Sequence, residues 1–319
     1  MNVLITSAGA KVLLVEAFTH ALGGRGDVFT ADISEQCAAA AFSSRHFALR
    51  RTDDPSAAAE LVALCRDHDI RLVVPTRDGE LEFLSALAGQ LSKIGTTVLV
   101  AAPEVISLCL DKAAFAERIT ALDLTPVPTL AESEIDTATF PLFVRPVTGA
   151  GARGARYVQD AADLARAQAG ADLLIHPVID ADEYSVDLLM GLTPGEALQA
   201  VVRRRTLVVA GEAKVSQIVD RPDLAAIAFR IGEAIGLVGH NVVQVFDDPR
   251  RGPLVIEANA RFGGASNLSI VGGLDSPSRL LALLDGDRRG AAPRDIQIGL
   301  TMHRFAQDTF MPPNRPAPT

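Results

Sequence analysis

The first hundred residues alternate short apolar runs with amphipathic stretches, and that alternation leaves few architectures open. VLITSA (3–8), DVFTADI (27–33), RLVVPT (71–76) and TTVLVAA (96–102) read as strands. Between them lie a helical stretch through Val12–Leu22, a second at 55–67 with Pro55 suited to a helix start, and a third over Glu80–Leu91. Strands that alternate with helices pair in parallel and are covered on both faces, so this half predicts an open, Rossmann-like domain.

After Pro103 the pattern changes. One helix is expected over about Val105–Leu122, across LDKAAFAERI, followed by the proline-marked connection TPVPT. From Phe140 the strands look antiparallel: PLFVRPV and ARYVQD flank a glycine loop, EYSVDLLMGL and ALQAVVRRRTLVV a TPGE turn, and NVVQVFDD and GPLVIEANARF a PRRG turn. A helix at Asp223–Ile235 separates the last two pairs, which makes this half mixed α+β. The expected boundaries are 1–104 for the Rossmann-like domain, 105–180 for a helix and small subdomain, 181–305 for a larger subdomain, and 306–319 for a disordered proline-rich tail.

Composition narrows the function. With 48% hydrophobic and 22% charged residues in 319, the chain is expected to fold and to bury sizeable cores. No uncharged apolar run approaches the ~18 residues of a membrane span. The opening MNVLITSAG lacks a positive segment before its apolar run and reads as a buried strand, not a signal peptide. A net charge of −9 argues against a general nucleic-acid binder. Cys37, Cys65 and Cys109 form no CxxC pair, so a disulfide framework or structural zinc site is not expected and a reducing cytoplasm fits. The six histidines show no metal-ligand spacing, and neither GxSxG nor HExxH occurs. Only four of the 30 basic residues are lysines: Lys11, Lys93, Lys112 and Lys214. A chain that uses arginine for generic positive charge makes each lysine a somewhat better candidate for a specific task.

Gly149, Gly151 and Gly154 spell GxGxxG. A dinucleotide site needs this loop to open a helix, whereas here it leads into the extended ARYVQD. A Walker A loop needs Lys-Ser/Thr after the last glycine, whereas here Ala155-Arg156 follows. A strand–loop–strand flap over nucleotide phosphates remains, with Arg145 adding charge, alongside the plainer reading of a glycine-rich hairpin.

The strongest signal is VIEANARFGG. Residues two apart on a strand share a face, so Glu257, Asn259 and Arg261 point one way and Ile256, Ala258 and Ala260 the other. Acid, amide and guanidinium in one row suit a Mg²⁺–phosphate site, with oxygen donors for the metal and arginine for phosphate. If the PRRG turn is a four-residue hairpin loop, Asp248 faces Pro253 and Gln244 faces Glu257. A half-exposed hairpin with incidental polar residues is the alternative.

Together these segments resemble the ATP-grasp superfamily, in the branch similar to the carbamoyl-phosphate synthetase large chain. The resemblance rests on the order of LITSAG, PTRDGELEF, DKAAFAERI, FVRPVTGAGARGARYV, DEYSVDLL, NVVQVF and VIEANARFGG. It implies a Rossmann-like pre-ATP-grasp domain, a mobile lid and a C-terminal ATP-grasp subdomain. The implied activity is ATP-dependent ligation: a carboxylate becomes an acyl phosphate, ADP and phosphate are released, and an amine or similar nucleophile is joined. ATP with Mg²⁺, or Mn²⁺ in its place, would be the cofactors. The partners would be small carboxylate and amine substrates, without nucleic acid or membrane, and a homodimer is allowed.

By the same resemblance Lys112, Arg145 and the loop Gly149–Gly154 contact phosphates, and Glu183 binds the ribose. Pro177 C=O and Val178 N–H read the adenine, Gln244, Glu257 and Asn259 hold the metal, and Arg261 stabilises developing charge. Relatives carry Glu or Gln where this chain has His176, which is expected to be structural. Arg203 and Arg205 lie on one face of their strand and Arg204 on the other, and the first two are candidates for holding the substrate carboxylate. Thr6, Ser7 and Gly9 are a candidate anion site, and Asp78 and Glu80 candidate partners for an amine. Two other readings stay open: a non-catalytic nucleotide-binding protein, and carboxylation through carboxyphosphate.

Overall fold

A computed structural model of the chain describes residues 1–149 and 154–311. Gly151 and the end of the expected disordered tail, from 312 onward, lie outside the described residues.

Five strands form a parallel sheet in the order β3-β2-β1-β4-β5: β1 (Asn2–Ile5), β2 (Val28–Asp32), β3 (Arg45–Ala48), β4 (Ile70–Val74) and β5 (Thr97–Val98). Helices α1 (Val12–Leu22), α2 (Ala57–Asp67) and α3 (Leu81–Ser92) cover it. The two-residue period of a strand divides the cores: Val3 and Ile5 pack with Val15 and Phe18 of α1, while Leu4 packs with Leu61 of α2 and Leu84 of α3. The edge strand β3 has no counterpart among the expected strands, because RHFA carries no apolar run.

The single helix expected near 105–122 is two, α4 (Pro103–Leu110) and α5 (Lys112–Ala121). The break is Asp111, which is extended at φ −95° and ψ 104°. Its Oδ1 accepts from the Ala113 and Ala114 N–H groups at 2.9 and 3.0 Å, an N-cap that starts α5 at Lys112. Val105 and Ile106 of α4 and Phe115 and Ile119 of α5 are buried in the core under the C-terminal sheet.

A short helix, α6 (Glu132–Ile135), leads into a small antiparallel sheet ordered β7-β6-β8: β6 (Leu142–Pro146), β7 (Arg156–Val158) and β8 (Leu173–Pro177), with α7 (Ala161–Gln168) against it. Across the β6–β8 pair, Phe143 faces His176. His176 is buried, its Nδ1 donates to Pro128 C=O at 2.8 Å, and its Nε2 accepts from Arg145 Nε at 3.0 Å. The contact at Nε2, an acceptor, requires the neutral ring with its proton on Nδ1. Burial, and then the Arg145 charge, push its pKa down to about 4.

The largest sheet has six antiparallel strands in the order β13-β12-β9-β10-β11-β14: β9 (Asp182–Met190), β10 (Ala197–Val209), β11 (Glu212–Val219), β12 (His240–Asp248), β13 (Gly252–Asn259) and β14 (Thr301–His303). One face packs Tyr184, Val186 and Leu188 on α8 (Pro222–Ile235). The other face carries Glu183, Ser185 and Asp187, opposite Arg205, Arg203 and Val201 of β10. Beyond this face lie α9 (Ser266–Ser269) and α10 (Ser276–Leu284), and α10 packs against α1.

The β12–β13 hairpin turns one residue tighter than expected. Asp248 faces Gly252 and Asp247 faces Pro253, a slip that would put Gln244 out of step with Glu257. A β-bulge restores the phase, since Val245 pairs with Val255 and Gln244 with Glu257, leaving Ile256 unpaired. The expected pairing of Gln244 with Glu257 is therefore present, by a different route.

Asp187 is fully buried and is the polar hub of the sheet. It accepts from Arg203 Nε of β10, His240 Nε2 of β12 at 3.0 Å, Ser266 Oγ, and Ser269 Oγ at 2.6 Å. Burial alone would push its carboxyl up, but the Arg203 and His240 contacts hold it well below the usual carboxylate range.

Two stability experiments follow from these networks. Asp187→Ala strands the Arg203 charge in the core and is expected to cost about 3–5 kcal/mol by urea unfolding; a loss below ~1 kcal/mol would contradict the hub. His176 binds a proton more readily unfolded, near pH 6.5, than folded. Its contribution is full above that value and is lost as pH falls toward about 4. Unfolding midpoints measured from pH 7.5 to 4 should fall across this window, and His176→Gln should flatten that slope.

Candidate functional site

The β6–β8 sheet, above, and the polar face of the β9–β13 sheet, below, approach each other at Arg145 and Glu257, and the candidate cleft is the space between them. From above, Lys112 opens α5, and its Nζ donates to Gly149 C=O at 2.8 Å while its N–H bonds Val147 C=O at 3.0 Å. The cap at Asp111 therefore ties the lysine to the start of the glycine loop. Gly149 at φ 121° and Gly154 at φ 76° occupy conformations that side chains disfavour, and a Cβ on Gly154 would meet Pro146 Cγ at 3.0 Å. Arg145 is buried, oriented by His176, and its Nη1 lies 4.0 Å from Glu257 Oε2 on the floor. Pro177 ends β8, and Val178 is exposed just beyond it.

The floor is one connected polar row. Asn259 Nδ2 donates to Gln244 Oε1 at 3.2 Å and to Glu257 Oε1 at 3.0 Å. Gln244 Nε2 donates to Glu183 Oε1 at 3.0 Å. Burial pushes the Glu183 carboxyl up, and Arg205 and Gln244 draw it back in part. Among the described residues no group of three His, Cys, Asp or Glu could hold a metal. A site with one carboxylate (Glu257) and two amide side chains (Gln244, Asn259) has the hard oxygen donors that suit Mg²⁺, with phosphates and water supplying the rest. It lacks the soft ligands that favour transition metals.

Arg261 ends the row and joins the two halves of the molecule. Its Nε and Nη2 donate to the two carboxylate oxygens of Asp78 at 2.8 and 2.5 Å, its Nη2 also to Asn259 Oδ1 at 3.0 Å, and its Nη1 to Phe262 C=O at 3.1 Å. Four of the five guanidinium N–H groups are thereby engaged, and one on Nη1 is left. Next to it Phe262 stacks on His240, with centroids 4.2 Å apart, and meets Phe18 of α1 edge-on at 6.0 Å.

Several expected site residues lie elsewhere. Arg203 shares the face with Glu183 and Gln244, but it is buried and bonded to Asp187, so it is not available to a substrate carboxylate. Arg205 is engaged by Glu183 and by Gly211 C=O at 2.7 Å, which places it beside the expected ribose residue and not in an acceptor site. Ser7 Oγ donates to Glu80 Oε2 at 2.8 Å and Gly9 N–H to Asp32 Oδ2 at 2.9 Å, so the candidate anion loop spends those donors within the fold. Glu80 is buried and also accepts from the Thr76 and Arg77 N–H groups, and Asp78 holds Arg261, so neither carboxylate is free for an amine. Lys11 and Arg304 have no role in the sequence analysis; Arg304 bonds Gly264 C=O, three residues after Arg261, and the scarcity of lysine is the one hint for Lys11.

Residues 3–99 match the family model described as PylC-like, N-terminal domain, and residues 170–307 the model described as ATP-grasp in the biosynthetic pathway with Ter operon. No curated protein matches the chain significantly. Among solved structures, the chain is similar to the 2-oxoglutarate carboxylase biotin carboxylase domain of Hydrogenobacter thermophilus, crystallised with MgADP and bicarbonate. The TM-score is 0.73 at 16% identity, over 94% of this chain and 73% of that one. It is similar to N5-carboxyaminoimidazole synthetase from Staphylococcus aureus complexed with ADP, with a TM-score of 0.74 at 14% identity over 95% and 82% of the two chains. It also matches Rhizobium etli pyruvate carboxylase, with a TM-score of 0.73 at 16% identity, but spans only 30% of that chain. These likenesses concern the fold, and the domain matches give its two parts: the chain carries a PylC-like N-terminal domain over residues 3–99 and an ATP-grasp domain over residues 170–307.

Proposed function

We propose that this protein is an ATP-dependent ligase that phosphorylates a small carboxylate and joins it to an amine or similar nucleophile. The observation that carries this reading is the continuous row Gln244–Glu257–Asn259–Arg261, facing Arg145 and Lys112 across the cleft. Phosphate-binding cations above and oxygen donors below are what a triphosphate with its metal requires.

In this reading Pro177 C=O accepts from the adenine amino group and Val178 N–H donates to the ring, since proline lacks an N–H but keeps its carbonyl. Glu183 accepts from the ribose. Lys112, Arg145 and the backbone of the glycine loop hold the phosphates, with Arg145 aimed by His176. Gln244, Glu257 and Asn259 would hold Mg²⁺, which supplies charge neutralisation between phosphate groups. Arg261, fixed by Asp78, directs its remaining N–H to charge that develops on the transferred phosphoryl group. A carboxylate is a poor electrophile, and phosphorylation gives it a leaving group. Closure of the upper sheet would exclude water until the nucleophile arrives.

The test is phosphate release from ATP over a panel of carboxylic acids, bicarbonate and amines. ADP and phosphate are expected; AMP with pyrophosphate would refute attack at the terminal phosphate. Stimulation by bicarbonate alone would favour the carboxyphosphate reading. Glu257→Gln is expected to weaken calorimetric Mg·ATP binding at least about tenfold without changing Tm, because its side chain is part-exposed and its neighbours retain other bonds. Unaltered metal-dependent binding would remove Glu257 from the site. Arg261→Ala is expected to lower kcat roughly 100-fold with little change in ATP affinity, and a loss confined to the ATP KM would reduce Arg261 to a binding residue.

A further inference from the structure

The parallel sheet of the N-terminal half places a second crevice beside the catalytic row. In the order β3-β2-β1-β4-β5 the chain leaves β1 toward β2 and leaves β4 toward β5, so the connections diverge between two neighbouring strands. Open sheets of this kind take ligands outside the carboxyl ends of their strands at such a point. A cavity of about 90 Å³ lies there, bounded by Thr6 after β1, Asp32 after β2, Arg50 and Arg51 after β3, and Arg77 after β4. Leu61 of α2 and Leu84 of α3 give it an apolar wall. That volume holds a few water molecules, which admits a small molecule and not a second nucleotide.

The charged groups around this crevice have capacity to spare. The Arg77 guanidinium makes no hydrogen bond or ion pair among the described residues; it lies back over its own turn, where a Cβ on Gly79 would meet its Nη1 at 3.3 Å. Arg50 meets Asp54 at 3.4 Å and Arg51 meets Asp53 at 3.2 Å, but both guanidinium groups are well exposed, and exposed pairs hold their partners weakly. Either arginine can therefore turn to an incoming anion. Asp32 is half-buried; its Oδ2 accepts from Gly9 N–H at 2.9 Å and its Oδ1 from Ser34 N–H at 3.3 Å, which leaves each oxygen a lone pair for a further donor. A bare anion in the crevice would meet Asp32, and a bare amine would meet three arginines. A molecule carrying both an ammonium and an anionic group satisfies both sets.

The residue after Arg77 is Asp78, whose two oxygens hold Arg261 at 2.8 and 2.5 Å. The crevice and the end of the polar row Gln244–Asn259–Glu257 therefore meet at one short turn, Asp78–Glu80. We propose that this crevice binds the nucleophile of the ligation, an assignment that rests on the ligase reading above, and that the nucleophile is a small amine bearing an anionic group, carboxylate or phosphate. Arg50, Arg51 and Arg77 take the anionic group, for which guanidinium is the matching donor, and Asp32 takes the ammonium. The acid to be phosphorylated then lies with the nucleotide on one side of the turn, and the amine waits on the other.

Ile33 lines the crevice and is exposed, so its δ1 methyl is the reporter. The full chain is labelled with ¹³C at the isoleucine δ1 methyls, and Ile33→Val identifies the signal. Glycine, β-alanine, O-phosphoethanolamine, ethanolamine and acetate are titrated separately, with and without Mg·ATP. Saturable movement of the Ile33 signal with at least one of the first three is expected, and with neither ethanolamine nor acetate. The response to β-alanine against O-phosphoethanolamine tells carboxylate from phosphate. Arg77→Gln is expected to raise the Kd of the responding amine at least about tenfold, with Tm unchanged because its guanidinium bonds no protein group. A silent Ile33 signal, an equal response to ethanolamine or acetate, or undiminished affinity in Arg77→Gln overturns the proposal. The responding amine should also raise phosphate release with an acid of the panel; one that binds and leaves turnover unchanged with every acid is not the nucleophile. Calorimetry with Mg·ATP on the same sample keeps the two readings apart. Absent nucleotide binding would sink the ligase reading, whereas intact nucleotide binding with a silent crevice overturns this assignment alone.

Discussion

A single carboxylate placed in the driest part of the largest sheet organises much of what surrounds it. Asp187 cannot be ionised there without partners, and it collects them from β10, from β12 and from the helix after β13. These bonds set the position of His240, whose ring stacks on Phe262, and Phe262 is the residue after Arg261. A chain of contacts therefore leads from the buried carboxylate to the guanidinium at the end of the polar row Gln244–Asn259–Glu257. Such a network is directional where apolar packing is not, so it specifies one seating of the α9–α10 segment on the sheet.

The active face of the cleft rests on similar local devices. Asp111 interrupts what would otherwise be one long helix and places Lys112 at the start of a new one, next to the glycine loop. His176, held neutral by burial, aims Arg145 at the opposite side of the cleft. Neither residue needs to touch a nucleotide to matter. Each fixes the direction of a cation that would otherwise have many rotamers open to it.

The parts of this architecture written in periodicity were legible from the sequence. Four of the five strands of the Rossmann-like half and α1 at Val12–Leu22 follow from apolar spacing, as does the shared face of Glu257 and Asn259. Features that depend on pairing across long separations were not. Alternation placed Arg203 and Arg205 on the site face correctly, but it could not show that Asp187 and Glu183 on the neighbouring strand would claim them. Polar spacing likewise suggested open groups at Asp78 and Glu80, whereas one meets Arg261 and the other its own loop. The helix break at Asp111 was missed because apolar spacing continues through it, although an aspartate two and three residues before bonded N–H groups is a capping pattern.

The bidentate contact between Asp78 and Arg261 spans 183 positions of sequence. Closing so long a loop is entropically late, so this contact belongs to the end of folding and not to its beginning. The cluster around Leu4 belongs to the N-terminal half alone, whereas Val3, Ile5 and Phe18 share theirs with Leu189, Val201 and Phe262, so that part of the core is completed only when the halves meet. Until the halves dock, Arg261 lacks the partner that orients it. During synthesis, then, a chain with its ATP-grasp sheet already formed would still hold an unaimed arginine, and competence would arrive as a single late event.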